Sequence, residues 1–136
     1  MIRFETDDCN VPDLNQDRIN GWIATIAASH GKKVGEIDYI FCSDPKMLEH
    51  NRQYLGHDFY TDIITFDYSD EEQISGDIFI GLETVASNAA LLGLSADQEL
   101  LRVIIHGILH LCGFKDKTPK DESIIHQQED IALSLL

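Results

Sequence analysis

Residues 102–116 read Arg102-Val103-Ile104-Ile105-His106-Gly107-Ile108-Leu109-His110-Leu111-Cys112-Gly113-Phe114-Lys115-Asp116. Together with Leu100 and Leu101 this segment is apolar on nearly every side of a helix, which predicts a central helix covered by other elements and not an amphipathic surface one. Its two histidines are four residues apart, about 400° of helical rotation, so both imidazoles lie on one face, one turn apart, and can converge on a single ion. Gly113 is placed to stop the helix as a left-handed residue, and Asp116 follows where a returning chain can bring a carboxylate to the same ion. The pattern H-x-x-x-H-x-x-G-x-x-D thus offers two neutral nitrogens and one oxygen and leaves a fourth position to water, the composition of an open, catalytic zinc site. His106, His110 and Asp116 are the expected ligands of one divalent ion, zinc first. Cys112 lies about 240° round the helix from His106 and is not expected to join them. The competing reading makes both histidines partly buried polar residues bonded to backbone, with Asp116 at the surface. Gly107 costs a helix about 1 kcal/mol relative to Ala, which implies close approach of another backbone or a substrate.

Working outward, Ser95 opens this helix with Glu99 nearby, and Glu83 to Leu92 forms a preceding helix ended by Gly93. Pro119 and Asp121 start a last helix that runs to the C-terminus. Upstream, Ile2 and Phe4 suggest a short strand, and a helix from about Leu14 to His30 ends at Gly31 with Trp22, Ile23 and Ile26 on its apolar face. Ile37, Tyr39 and Phe41 alternate within a strand from Val34 to Cys42, and Ser43 or Asp44 before Pro45 caps a helix ending near Leu55-Gly56. Asp62 to Tyr68 and Asp77 to Ile80 read as two further strands, joined by a solvated loop at Asp70-Glu71-Glu72. The expectation is one α+β domain over residues 1–136, with a mixed sheet of about four strands packed with helices.

The composition narrows the function. There are 24 acidic against 10 basic residues, net −14, and such a field repels polyanions and excludes loose, non-specific nucleic-acid binding. An RNA held by a local basic patch or presented by a partner is compatible with it, because repulsion is screened beyond about 8 Å at physiological salt. Cys9, Cys42 and Cys112 form no C-x-x-C pair and read as reduced thiols acting as small core hydrophobes. No run reaches the roughly 20 apolar residues of a membrane span, and the start, Met1-Ile2-Arg3-Phe4-Glu5, lacks secretory features, so a cytoplasmic location is expected. His30, His50 and His126 read as surface helix residues, and Thr61 and Asp77 either as strand-end hydrogen-bonding residues or as part of a cleft lining.

The histidine spacing resembles that of the metzincin peptidases, but Gly107 stands where their general-base glutamate belongs, so peptidase activity by that route is not expected. The wider segment resembles the YbeY family of rRNA maturation factors and endoribonucleases. That family's signature, H-G-x-L-H-L-x-G-[YF]-D-H, is matched by His106-Gly107, Leu109-His110-Leu111 and Gly113-Phe114. Asn51, Tyr54, Thr61-Asp62, Phe66 and Gly76-Asp77-Ile78 extend the likeness over nearly the whole chain. The resemblance implies a metal-dependent, single-strand-specific endoribonuclease acting in 16S rRNA 3′-end maturation, ribosome assembly and quality control. It also implies rRNA or a ribosomal particle as partner, with ribosomal or GTPase assembly proteins beside it and no membrane.

Two departures bear on mechanism. The family motif ends Asp-His where this chain has Lys115-Asp116, so a carboxylate replaces an imidazole as third ligand; a less positive site acidifies its water less or prefers a different divalent metal. Leu55 stands where the family commonly has an arginine implicated in activity, and Arg52, His57, Lys115 or Lys117 are the candidates to supply that charge. No catalytic general base is assigned by the sequence. The cluster at Lys115, Lys117 and Lys120 is the expected phosphate-binding patch. A second function class is a ribosome-associated assembly factor whose metal is structural. A third, a non-haem iron oxygenase, shares the two-histidine, one-carboxylate set but usually builds it on a β-barrel.

Overall fold

The computed structural model describes residues 1–56 and 61–136. The strands are β1 (Ile2–Thr6), β2 (Lys33–Cys42), β3 (Ile63–Asp67) and β4 (Gln73–Gly81). The helices are α1 (Gln16–Ser29), α2 (Asp44–His50), α3 (Leu82–Leu92), α4 (Ala96–Leu111) and α5 (Pro119–Ser134), and a π-helical turn, Asn51–Leu55, continues α2. The sheet order is β1-β2-β4-β3, with β1, β2 and β4 parallel and β3 antiparallel to β4 at the edge. This is the expected α+β fold with a mixed four-stranded sheet.

Strand alternation sorts the two faces. Ile37, Tyr39 and Phe41 of β2 and Ile74, Ile78 and Ile80 of β4 are buried with α1 and α4 in the main core. On the opposite face Cys42, Met47 and Ile64 form a smaller cluster with Ile40, Phe66 and Phe79, covered by α2. Two buried hydrogen bonds tie the layers: the Tyr39 hydroxyl donates to the Ile104 carbonyl of α4 at 2.9 Å, and Trp22 Nε1 donates to Ala132 O of α5 at 2.8 Å.

Most boundaries fall within two residues of the expectation, and the differences have local causes. α1 starts after Leu14 because Asn15 caps it, accepting from Arg18 N. β4 begins at Gln73, four residues before Asp77, because pairing with β2 and β3 supplies ladder bonds that Ser75, Gly76 and Asp77 do not advertise by hydrophobic alternation. The capping box of α4 joins Ser95 to Gln98, which leaves Glu99 to turn inward and be buried. The Asp70 carboxylate accepts from Glu72 N and Gln73 N and holds the β3–β4 loop.

Gly107 is explained by neither a backbone neighbour nor a substrate. A Cβ built there would lie 3.0 and 3.2 Å from Ile78 carbons and 3.2 Å from Ile63 Cδ1, so the glycine lets α4 lie directly against the side chains of β3 and β4. In Gly107→Ala the gain in helix propensity of about 1 kcal/mol is set against this crowding and the net change stays within about 1 kcal/mol. Gly107→Val adds two further methyl groups with no room to take them, and urea denaturation should register a loss of about 2 kcal/mol or more.

Candidate metal centre

The C-terminal end of α4 builds the site. Gly113, at φ 106°, reverses the chain so that Gly113 N donates to His110 O and Phe114 N to Leu109 O, both at 3.0 Å, a Schellman closure. The same reversal sets the Phe114 carbonyl 2.9 Å from His110 Nδ1. It then returns Asp116 to the histidine face. His106 Nε2 and His110 Nε2 are 2.8 Å apart, and Asp116 Oδ2 lies 3.2 Å from the second and 3.4 Å from the first. Four-coordinate zinc with bonds near 2.0–2.1 Å separates its donors by about 3.3 Å, so the three atoms stand near the required spacing before any adjustment.

The protonation of these rings follows from their partners. A carbonyl only accepts, so His110 Nδ1 carries the hydrogen and its Nε2 presents a lone pair. His106 Nδ1 lies 2.6 Å from Glu129 Oε2, a carboxylate that also accepts from Arg102 at 3.0 Å. Burial pushes Glu129 upward, but the bonds from His106 and Arg102 outweigh it and hold the group below the usual glutamate range. An ionised Glu129 makes His106 Nδ1 the donor, and His106 Nε2 then presents a lone pair as well. Two imidazole lone pairs and a carboxylate oxygen facing one another repel unless a cation lies among them. Burial disfavours charge on His106, yet Glu129, Asp116 and Asp62 hold its pKa above the ordinary histidine value.

Glu129 and Arg102 were missed in the sequence. Glu129 is a histidine-orienting carboxylate, only 5% exposed, delivered from α5 across the helix pair. Arg102 is one turn before His106 and bonds Glu129 and Asp130, so its charge is engaged within the scaffold. The only available signal was the i, i+4 relation of Arg102 to His106; nothing local connects either residue to position 129.

The cluster lies in a cleft of about 1060 Å³ between α4, β3 and the segment after Gly113. Thr61, Asp62, Glu99, Lys115 and Lys117 line it, as does Leu55. Of the candidates to replace the family arginine, Lys115 and Lys117 are in the lining, Arg52 is not among the described lining residues, and His57 lies outside the described residues. Lys120 is exposed and likewise absent from that lining, which trims the expected basic patch to two lysines. Asp77 faces away from the cleft, beside Asp38 on the other side of the sheet, whereas Thr61 lines it. Burial pushes the carboxyls of Asp62 and Glu99 upward, and Asp62 and Glu129 add to the effect on Glu99, whose Oε2 is buried without a hydrogen-bond partner among the described residues. Cys112 is half-buried with its thiol pushed up to about 11 by burial, and it lies outside the group formed by His106, His110 and Asp116.

A family model described as endoribonuclease YbeY matches residues 1–136. Endoribonuclease YbeY of Phocaeicola vulgatus is 56% identical over 136 residues, covering all of this chain and 99% of its own. The Bacteroides thetaiotaomicron protein of the same name is 52% identical over 134 residues, 98% of each chain. The solution structure of TM1509 from Thermotoga maritima superposes with a TM-score of 0.71 at 28% identity, over 98% of this chain and 87% of that one. With the signature helix, the fold and the full-length match in agreement, the chain belongs to the YbeY endoribonuclease family.

Proposed function

We propose that this protein is a metal-dependent endoribonuclease that cuts single-stranded RNA, acting on the 3′ end of 16S rRNA during ribosome assembly in the cytoplasm. The observation that carries the reading is the convergence of two Nε2 lone pairs and the Asp116 carboxylate on one point of an open cleft, each imidazole oriented through its Nδ1. His106, His110 and Asp116 would hold one divalent ion, zinc by the chemistry of the donors. Such an ion, when bound, polarises a phosphoryl oxygen and lowers the pKa of a coordinated water.

The chain's own residues supply the rest. Lys115 and Lys117, exposed beside the cluster, attract the phosphate backbone, and Asp62 and Glu99 are carboxyls whose burial raises their affinity for a proton inside the cleft. Leu55 offers an apolar rim to a base where an arginine would have met a phosphate. An oxygenase reading loses its structural support, since two donors rise from one helix and the third from the turn after it, beside an open sheet and not from a barrel. The assembly-factor reading keeps the same fold and differs in one measurable property, turnover.

Purified, zinc-loaded protein should cleave a defined single-stranded RNA, and His110→Ala should reduce the rate by at least about 100-fold with circular dichroism unchanged, in keeping with loss of a metal-activated nucleophile. Cleavage that survives this substitution rejects the site. Glu129→Gln removes the charge that fixes the His106 tautomer, so the free zinc needed for half-maximal cleavage should rise about 10–100-fold. Replacing Lys115 and Lys117 by Ala should lower the slope of log affinity against log salt for single-stranded RNA by about 1.4; an unchanged slope assigns phosphate contact to other residues.

A further inference from the structure

On the opposite face of the sheet from α4, the chain assembles another set of metal-type donors from three separate elements. Cys42 is the last residue of β2, and alternation turns its side chain toward α2. His50 is the last residue of α2, its ring 4.7 Å from that of Phe79 and stacked 5.8 Å from that of Tyr54. Asp7 follows β1, and its backbone N donates to Phe41 O at 3.0 Å, which pins it beside the end of β2. One donor atom from each of Asp7, Cys42 and His50 lies within 4.8 Å of the others. His50 was expected at the surface; its side chain is instead only 13% exposed.

Two features are left over if His50 serves only as the hydrogen-bond partner of Asp7. Its Nε2 meets Asp7 Oδ2 at 2.7 Å, but its Nδ1 is buried with no hydrogen-bond partner among the described residues, an arrangement that costs about 1–3 kcal/mol. Among the described residues the Cys42 thiol makes one weak hydrogen bond, at 3.6 Å, to Ile40 O. Burial first, and then the charges of Asp7 and Asp8, push the Cys42 thiol up to about 12. The negative charges that oppose a lone thiolate favour a dication, which would displace the thiol proton.

We propose that Asp7, Cys42 and His50 form a second metal site, taking a zinc-class divalent ion through one sulfur, one nitrogen and one oxygen. The thiol selects against magnesium and calcium, which take oxygen ligands. Asp7 is solvent-exposed, so water completes the coordination from the outer side. The ion joins the end of β1, the end of β2 and the end of α2, directly before the π-helical turn that carries Leu55 to the cleft; its role is that of a clamp.

Co²⁺ is the probe, because thiolate bound to it gives a near-ultraviolet charge-transfer band and the His106–His110–Asp116 set contains no thiol. The test uses the full chain carrying His106→Ala and His110→Ala together, so that the cleft cluster cannot contribute. This variant should still bind an equivalent of Co²⁺, show the thiolate band, and unfold at higher temperature with Zn²⁺ than with chelator. Adding Cys42→Ser should abolish the band, and adding Cys9→Ser should keep it. Asp7→Asn, which keeps the size of the side chain and removes its charge, should weaken Co²⁺ binding in the same background. Absence of a thiolate band in the double-histidine variant, or a band that persists in Cys42→Ser, overturns the proposal.

Discussion

Because Gly107 carries no side chain, Ile63 and Ile78 reach the backbone of α4, and the helix lies against the sheet with its histidine face turned toward β3. That seating fixes where His106 and His110 point. It also leaves room on the far side of α4 for α5, whose Glu129 then meets His106. The helix is buried along most of its length, so its orientation is set by packing on both sides and not by the polar residues of the site. The Schellman closure at Gly113 adds the last constraint, since the same turn that satisfies the terminal carbonyls also orients His110 and returns Asp116.

Burying charge beside this helix is stable only as a connected set. Glu129, buried between α4 and α5, accepts from His106 on one oxygen and from Arg102 on the other, and Arg102 also reaches the exposed Asp130. Removing Arg102 would leave the buried Glu129 carboxylate without its cation, which costs about 3–5 kcal/mol in comparable buried pairs. The network therefore couples the geometry of His106 to the docking of α5. It also explains why Arg102, although it lines the cleft, is poorly placed to bind phosphate: its guanidinium is committed to two carboxylates.

Local pattern was enough to read His106, His110, Gly113 and Asp116, because helical spacing and a helix stop are local facts, and the structure brings these residues together. Glu129 is 23 positions from its histidine, and no periodicity links them; only packing of α5 on α4 does. The strands showed themselves where they are buried on the core face, as at Ile37-Tyr39-Phe41, and were shortened where polar residues pair in the ladder, as at Ser75 and Asp77. Glu99 was taken as part of the helix start, but the capping hydrogen bond belongs to Gln98, and one position of helical rotation separates a solvated cap from a buried acid. His50 looked like a surface residue because its aromatic and acidic neighbours, Phe79 and Asp7, are remote in sequence.

The cleft's charge balance gives the exchange of a histidine for Asp116 its meaning. Asp62, Asp67, Glu99, Asp116 and Glu129 line the cleft against Arg102, Lys115 and Lys117, and Arg102 is already neutralised by its partners. A polyanion entering this space meets a net repulsive wall unless cation charge is brought in or carboxyls take up protons. Burial moves Asp62 and Glu99 in the second direction. The first is what the convergent lone pairs of His106 and His110 with Asp116 require, so the electrostatics that oppose RNA in the bare protein are those that favour a dication in it. On the proposed reading, substrate affinity would be tied to metal loading, because the same ion would both complete the donor set and reverse the sign of the field that the phosphate meets.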